Sequence, residues 1–395
     1  MLSSRVPHDA PPNAWARRLA ARRAAGAALL DLTETNPTRV GLGGADAAAL
    51  QALAIPAAAD YQPDPRGTRT AREAVVGYYR DRGLAVDADE VVLTASTSEA
   101  YAHLFRLLAE PGEAFLVPAP SYPLFEPLAQ LEGVRLRPYR LAWDGGWHLD
   151  PGSLEEAMAP GGRAMIVVQP NHPTGSCLSA DELAQAEALC ARQGMALISD
   201  EVFGDFPWAP AGAPGRSLAP LPSLLGPRRV PTFVLSGLSK VCGMPQLKLG
   251  WIAVAGPKPG RAEALRGLEW IADLFLSVGT PVQVALPSLL AGRHAWQARV
   301  RERVAGNLAR LRETVARRPA LELLETAGGW VAVVRVPRWR GEEAWTLELL
   351  RRGVVVHPGH FYDFDQEAYL VMSLIVPGAV WAEGLGHIET LATEV

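Results

Sequence analysis

The chain is predicted to fold as an α/β protein: a mostly parallel, doubly wound sheet forming a large domain, with a smaller α+β domain beside it. Two patterns predict this. Short apolar runs alternate with helical patterns over roughly the first two thirds of the sequence, as parallel strands joined by crossover helices require. From about Pro287 the pattern changes to long helical stretches followed by shorter strands. Size agrees, because 395 residues exceed what one simple core organises.

In chain order, Leu30 to Thr33 reads as an isolated strand, and Val91 to Thr94 opens the main pattern. A helix follows from about Ser98, where Tyr101, Leu104, Phe105 and Leu108 recur at helical spacing. Phe115 to Val117, Ala164 to Val168, Ala196 to Ile198, Phe233 to Leu235 and Trp251 to Val254 are the next apolar runs. The segment Ser179 to Arg192 is helical, with Asp181 and Glu182 in its first turn. Trp296 to Arg317 is a long helix, and Trp330 to Val336 and Tyr369 to Leu374 are later strands. Residues 1–44 are expected to join the small domain, 45–286 to form the large one and 287–395 the rest of the small one. The proline-rich stretch Ala209 to Pro222 reads as a surface loop.

Composition narrows the function. Hydrophobic residues make up 49 % and charged ones 20 %, which is globular. A net charge of -4 supplies no basic excess for a nucleic-acid backbone. No apolar run is long enough to predict a membrane span. Three unpaired cysteines, Cys177, Cys190 and Cys242, suggest reduced thiols and a cytoplasmic location. The N-terminal arginines, with acidic Asp9 and Pro11-Pro12 among them, read as part of the fold in preference to a transit peptide.

Chemistry concentrates where strands end, which is where open α/β sheets bind ligands. Lys240 closes Ser236-Gly237-Leu238-Ser239-Lys240 directly after a buried run, a poor place for a solvated charge and a good one for a reactive amine. Schiff-base chemistry with pyridoxal phosphate would need an anion opposite the pyridine nitrogen and a cradle for the phosphate. Asp200, at the end of Ala196 to Ser199, is a candidate for the first, although alone it could equally cap a helix. Thr94-Ala95-Ser96-Thr97-Ser98 follows another strand and opens a helix, a ready anion site. Gln169-Pro170-Asn171-His172-Pro173-Thr174-Gly175 is a turn at the end of a third strand.

Taken in order and spacing, these segments resemble the fold-type I pyridoxal-phosphate enzymes, specifically the class I/II aminotransferase family, from about Leu32 to Leu374. The resemblance implies a pyridoxal 5'-phosphate enzyme of biosynthesis that moves an amino group from an amino acid or related amine to an oxo acid. It implies Lys240 as the Schiff-base and proton-transferring lysine, Asp200 as the pyridinium partner, and Tyr122 as the aromatic stacked on the ring. It further implies Ser96, Thr97 and Ser98 at the phosphate, with Ser239 also among the cofactor-binding residues. Tyr61, in Tyr61-Gln62-Pro63-Asp64-Pro65-Arg66-Gly67, matches a tyrosine that reaches a neighbouring subunit's phosphate, which implies a homodimer with shared sites.

The pattern departs from the family at informative places. Lys248 stands where the family has an arginine on the phosphate, and Gly237 where a serine is frequent. His172 occupies the position of an asparagine that donates to the cofactor's phenolic oxygen, so either His172 or the preceding Asn171 takes that task. Phe203 replaces a tyrosine with the same task, and the loss of both donors implies that the bound cofactor titrates at higher pH. Val371 stands in place of the arginine that binds the substrate carboxylate and cannot form a charge-assisted fork. Either another cation, with Arg39 the candidate, takes the carboxylate, or the donor lacks a conventional one. His357-Pro358-Gly359-His360 reads as a turn without a metal. Two other readings stay open: a lyase or decarboxylase with the same apparatus, and a non-catalytic cofactor sensor.

Overall fold

The computed structural model describes residues 3–6, 11–210, 219–366 and 368–394. Residues 211–218 of the expected Ala209 to Pro222 loop lie outside the described residues, as does Asp9.

An eight-stranded sheet organises the larger part of the chain. Its order is Val91–Thr94, Gly250–Ala255, Thr232–Gly237, Ala196–Asp200, Gly162–Val168, Ala114–Ala119, Arg135–Trp143 and Trp147–Leu149. Gly250–Ala255 and Trp147–Leu149 run antiparallel to their neighbours; the other pairings are parallel. The middle strands are apolar on both faces because helices cover both. Val91, Leu93, Leu197 and Val234 enter one core, while the alternating Val92, Ile198, Phe233 and Leu235 enter another.

A four-stranded antiparallel sheet of Glu322–Leu323, Val331–Arg335, Tyr369–Ser373 and His357–Pro358 forms the smaller layer. Leu30–Asp31 pairs in parallel with Val354–Val355, so the first strand hydrogen-bonds to the C-terminal part of the chain. Helix Thr280–Ala291 spans the expected boundary at 286/287 and sends Leu286, Leu289 and Leu290 into a core of the large sheet. The next helix, Arg293–Arg317, instead buries Trp296, Val300, Val304 and Leu308 with the small sheet. Among the described residues, no helix is long and apolar enough to cross a membrane.

Helix starts follow local chemistry. Ser96 caps Thr97–Leu108, its hydroxyl accepting from the Glu99 amide at 3.1 Å. Ser179 and Glu182 form a capping box on Ala180–Gln193. These caps fix where the chain turns from strand to helix at the edge that carries the polar residues.

Candidate active site

Register places the strand ends on one edge. Gly250 lies opposite both Thr94 and Gly237, Asp200 opposite Leu235, and Val168 opposite Asp200. That edge brings together Ser96 to Ser98, the Gln169-to-Gly175 turn, Asp200 and the Gly237-to-Lys240 turn. Lys240 sits in the single-turn helix Leu238–Val241 that leaves strand Thr232–Gly237.

The Lys240 side chain keeps a strip of surface open to the cleft, while protein crowds its amine. Nζ lies 5.2 Å from the Trp330 ring centre and 5.6 Å from that of Phe203. Burial lowers its pKa to about 8, with Asp200 pulling the other way. A substantial fraction of the amine is therefore neutral and nucleophilic in mildly alkaline solution.

Asp200 is buried, and burial lifts its carboxyl to about 6 against the pull of two donors. Those donors are the Val202 amide at 3.2 Å and the Tyr101 hydroxyl at 3.1 Å. Burial first, and then Asp200, holds the Tyr101 phenol well above its ordinary value, so it remains a donor. Asp200 caps no helix; a turn follows it. Among the described residues no Lys or Arg forms an ion pair with it. A buried carboxylate so placed is under-compensated and suits a cationic guest such as a protonated pyridine nitrogen. This is the observation by which the site fits pyridoxal phosphate.

Close backbone builds the end of the edge that carries Ser96 to Ser98. Ser96, Thr97 and Ser98 are half-buried at the mouth of their helix, whose first N–H groups lack intrahelical acceptors. A Cβ at Gly250 would lie 3.1 Å from the Ser96 carbonyl carbon, and one at Gly237 2.9 Å from Gly250 Cα. The serine frequent at position 237 in the family therefore has no room here. Lys248 is exposed and held at φ 51°, a conformation uncommon for lysine. Ser239 is half-buried beside Lys240.

Rings make the remaining wall. His172 stacks on Phe203 at 6.1 Å and meets Tyr122 and Tyr362 edge-on at 6.0 and 5.5 Å. Burial, Lys240 and His357 lower its pKa to about 3, so the imidazole is neutral. Asn171 uses its amide to donate to the Pro120 carbonyl at 3.0 Å and the Thr174 hydroxyl at 2.8 Å. Its two donor hydrogens are thus committed to Pro120 and Thr174, whereas the His172 ring packs among Phe203, Tyr122 and Tyr362. Tyr122 is 37 % exposed, and burial and then Asp200 raise its pKa.

Other expected residues lie apart. Tyr61 is 76 % exposed and lines a hollow with Glu99, His103 and Leu276, on the flank of the Ser96-capped helix. The Arg39 side chain is 74 % exposed and touches Glu34 at 3.5 Å. No hydrogen bond or ring contact among the described residues ties it to the Lys240 cluster. Val371 is buried with Tyr362, Tyr369, Val331 and Val333. His357 Nδ1 pairs with the Tyr362 hydroxyl, and His360 Nδ1 with Glu342, each at 2.9 Å. Among the described residues no group of three His, Cys, Asp or Glu is placed to hold a metal ion.

Sequence reasoning missed Tyr101 and Trp330 as site residues. Tyr101 read as one apolar position of a helix, and Trp330 approaches Lys240 from 90 residues further along the chain.

The family described as aminotransferase class I and II matches residues 37–370. The chain belongs to that family, whose members depend on pyridoxal phosphate. Nicotianamine aminotransferase 1 of Oryza sativa is 30 % identical over 57 % of this chain and 44 % of its own length. The glutamate-pyruvate aminotransferase AlaA of Escherichia coli is 27 % identical over 67 % of this chain. The match spans 64 % of the AlaA sequence, so in both relatives it covers less than two thirds of the protein. Alanine aminotransferase from Pyrococcus furiosus superposes with a TM-score of 0.85 at 22 % identity, covering 96 % of both chains. A Thermus thermophilus aspartate aminotransferase mutant does so at 0.80 and 23 %, covering 99 % of both. These likenesses establish the fold.

Proposed function

We propose that the protein is an aminotransferase, passing an amino group from an amino acid or related amine to an oxo acid in two half-reactions. The observation that carries this reading is the pairing, on one sheet edge, of a buried amine with a lowered pKa and a buried carboxylate without a cation. Pyridoxal phosphate, when bound, supplies the carbonyl that takes up the amino group and a ring that accepts electrons from the adjacent C–H bond.

Lys240 would hold the cofactor's aldehyde carbon, and as a free amine it would carry the proton at the substrate carbon. Asp200, steadied by Tyr101, keeps the pyridine nitrogen protonated. Tyr122 would pack on the cofactor ring with Phe203 also in contact, and His172, in preference to Asn171, would donate to the phenolic oxygen. Ser96, Thr97, Ser98 and Ser239 hold the phosphate, with Lys248 adding a positive charge. Arg39, whose guanidinium has one long contact to give up, is the proposed cation for a donor carboxylate.

A homodimer with shared sites, in which Tyr61 reaches the second subunit's phosphate, is part of this proposal. Supporting it, Tyr61 and Leu276 line one hollow, and Trp270, Leu274 and Phe275, at and after the end of helix Lys258–Asp273, are exposed. An apolar rim of this kind is unusual on a monomer.

Borohydride reduction of the pyridoxal-phosphate-loaded protein, followed by peptide mass analysis, tests the reading. A modified Lys240, with absorbance changes on adding amino donors that an oxo acid reverses, is expected. No adduct at Lys240, or no spectral response across a broad amine panel, refutes it. Release of ammonia with no acceptor present would mark a lyase instead.

A further inference from the structure

A wall of rings and aliphatic groups extends from the Lys240 amine to the small sheet. It starts at Lys240, over Phe203 and Trp330. It continues through His172, stacked on Phe203, to Tyr362 at 5.5 Å. Tyr362 shares a cluster with Val371, the residue at the position where the family carries its carboxylate-binding arginine. Beyond it, His357 lies directly opposite Val371 in register, bonds to the Tyr362 hydroxyl, and packs edge-on against Trp15 at 5.4 Å.

Strand alternation supports the same reading. Tyr369 and Val371 enter the cluster with Tyr362, whereas Leu370 and Met372 enter the small-domain core behind. Arg335 lies over the Tyr369 ring of this cluster, and Glu322 already neutralises it at 2.5 Å. A substrate carboxylate at Val371 would thus lose its hydration without gaining an opposite charge. An apolar group would lose nothing and gain ring contacts.

We propose that this wall receives an aromatic or large apolar group of the amino donor, with Val371 and Tyr362 setting that preference. This rests on the aminotransferase reading above and names its donor class. It leaves a carboxylate, where the donor has one, to be bound elsewhere in the cleft.

The test uses the pyridoxal-phosphate-loaded protein and two unreactive acids that share a three-carbon carboxylate arm, 3-phenylpropionate and glutarate. Binding is measured by calorimetry, so no turnover enters the readout. The phenyl acid is expected to bind at least about tenfold tighter. Val371→Arg is expected to invert the order, and Tyr362→Ala to weaken the phenyl acid about tenfold while leaving glutarate within about twofold. Should Val371→Arg fail to fold, Tyr362→Ala decides alone, with circular dichroism as the folding control. Equal or tighter glutarate binding by the unmodified protein, no binding of either acid, or indifference of the phenyl acid to Tyr362→Ala overturns the proposal. Failure of the aminotransferase reading would appear earlier and separately, as absence of the Lys240 adduct before any acid is added.

Discussion

Replacing Asp200 with asparagine should make the cofactor-free protein more stable, and the gain should depend on pH in a calculable way. The carboxyl ordinarily titrates at 3.8 and is lifted by burial to about 6. Below pH 3.8 both folded and unfolded chains hold the proton, so nothing is lost. Between 3.8 and 6 the unfolded chain ionises first, and stability falls as pH rises. Above 6 the full cost of about 3 kcal/mol applies; at pH 5 roughly half of it does. Asparagine escapes this cost and keeps the local geometry, because its carbonyl can still accept from the Val202 amide. Urea unfolding of the cofactor-free Asp200→Asn protein should show about 2–3 kcal/mol more stability than the parent at pH 7.5, and an advantage at pH 5 about half as large. Cofactor retention should fall in the same variant. A variant that is no more stable at pH 7.5, or whose advantage is equal at both pH values, would refute the claim that Asp200 is a buried charge without an ion-pair partner.

Three further outcomes follow from the same geometry. Tyr101→Phe removes a donor that favours the charged carboxylate, so Asp200 should titrate above its present value. Cofactor affinity at pH 8 should then drop about tenfold, and an unchanged fluorescence titration would deny Tyr101 a positioning role. Lys248→Gly should raise the unfolding midpoint by relieving about 1–2 kcal/mol of left-handed backbone cost. The same change should weaken cofactor binding severalfold at low salt and less at high salt. Arg39→Ala should raise the donor KM about tenfold or more with little effect on kcat; an unmoved KM removes Arg39 from the site.

The strand ends were legible because each apolar run stops at a residue too polar for its surroundings. Thr94, Asp200 and Lys240 announce themselves against Val91 to Leu93, Ala196 to Ile198 and Phe233 to Leu235. The strand Arg135–Trp143 was not legible, because near the open edge of the sheet Arg135, Arg137 and Arg140 interrupt the apolar pattern. Of the two-residue strands, Leu30–Asp31 reads as part of an apolar run, whereas Glu322–Leu323, Val354–Val355 and His357–Pro358 are too short to carry a period. The Tyr101 hydroxyl and the Trp330 ring escaped for a different reason. Each acts on a partner 99 or 90 positions away, Asp200 and Lys240 respectively, and no local pattern encodes such a meeting. Glycine 237 illustrates the converse: its departure from the family was visible at once, but its cause is the crowding of Gly250, which only the register reveals.

Phe203, Phe206 and Trp208 belong by sequence to the segment after Asp200, yet they are buried in one cluster with Trp296 and Trp330. The two halves of the molecule are thereby riveted along an aromatic seam immediately beside Lys240. Parting it would wet at least four large rings, at roughly 2 kcal/mol or more apiece, a sum that rivals the whole stability of an ordinary domain. Any relative movement of the two sheets is therefore expected to keep this seam packed.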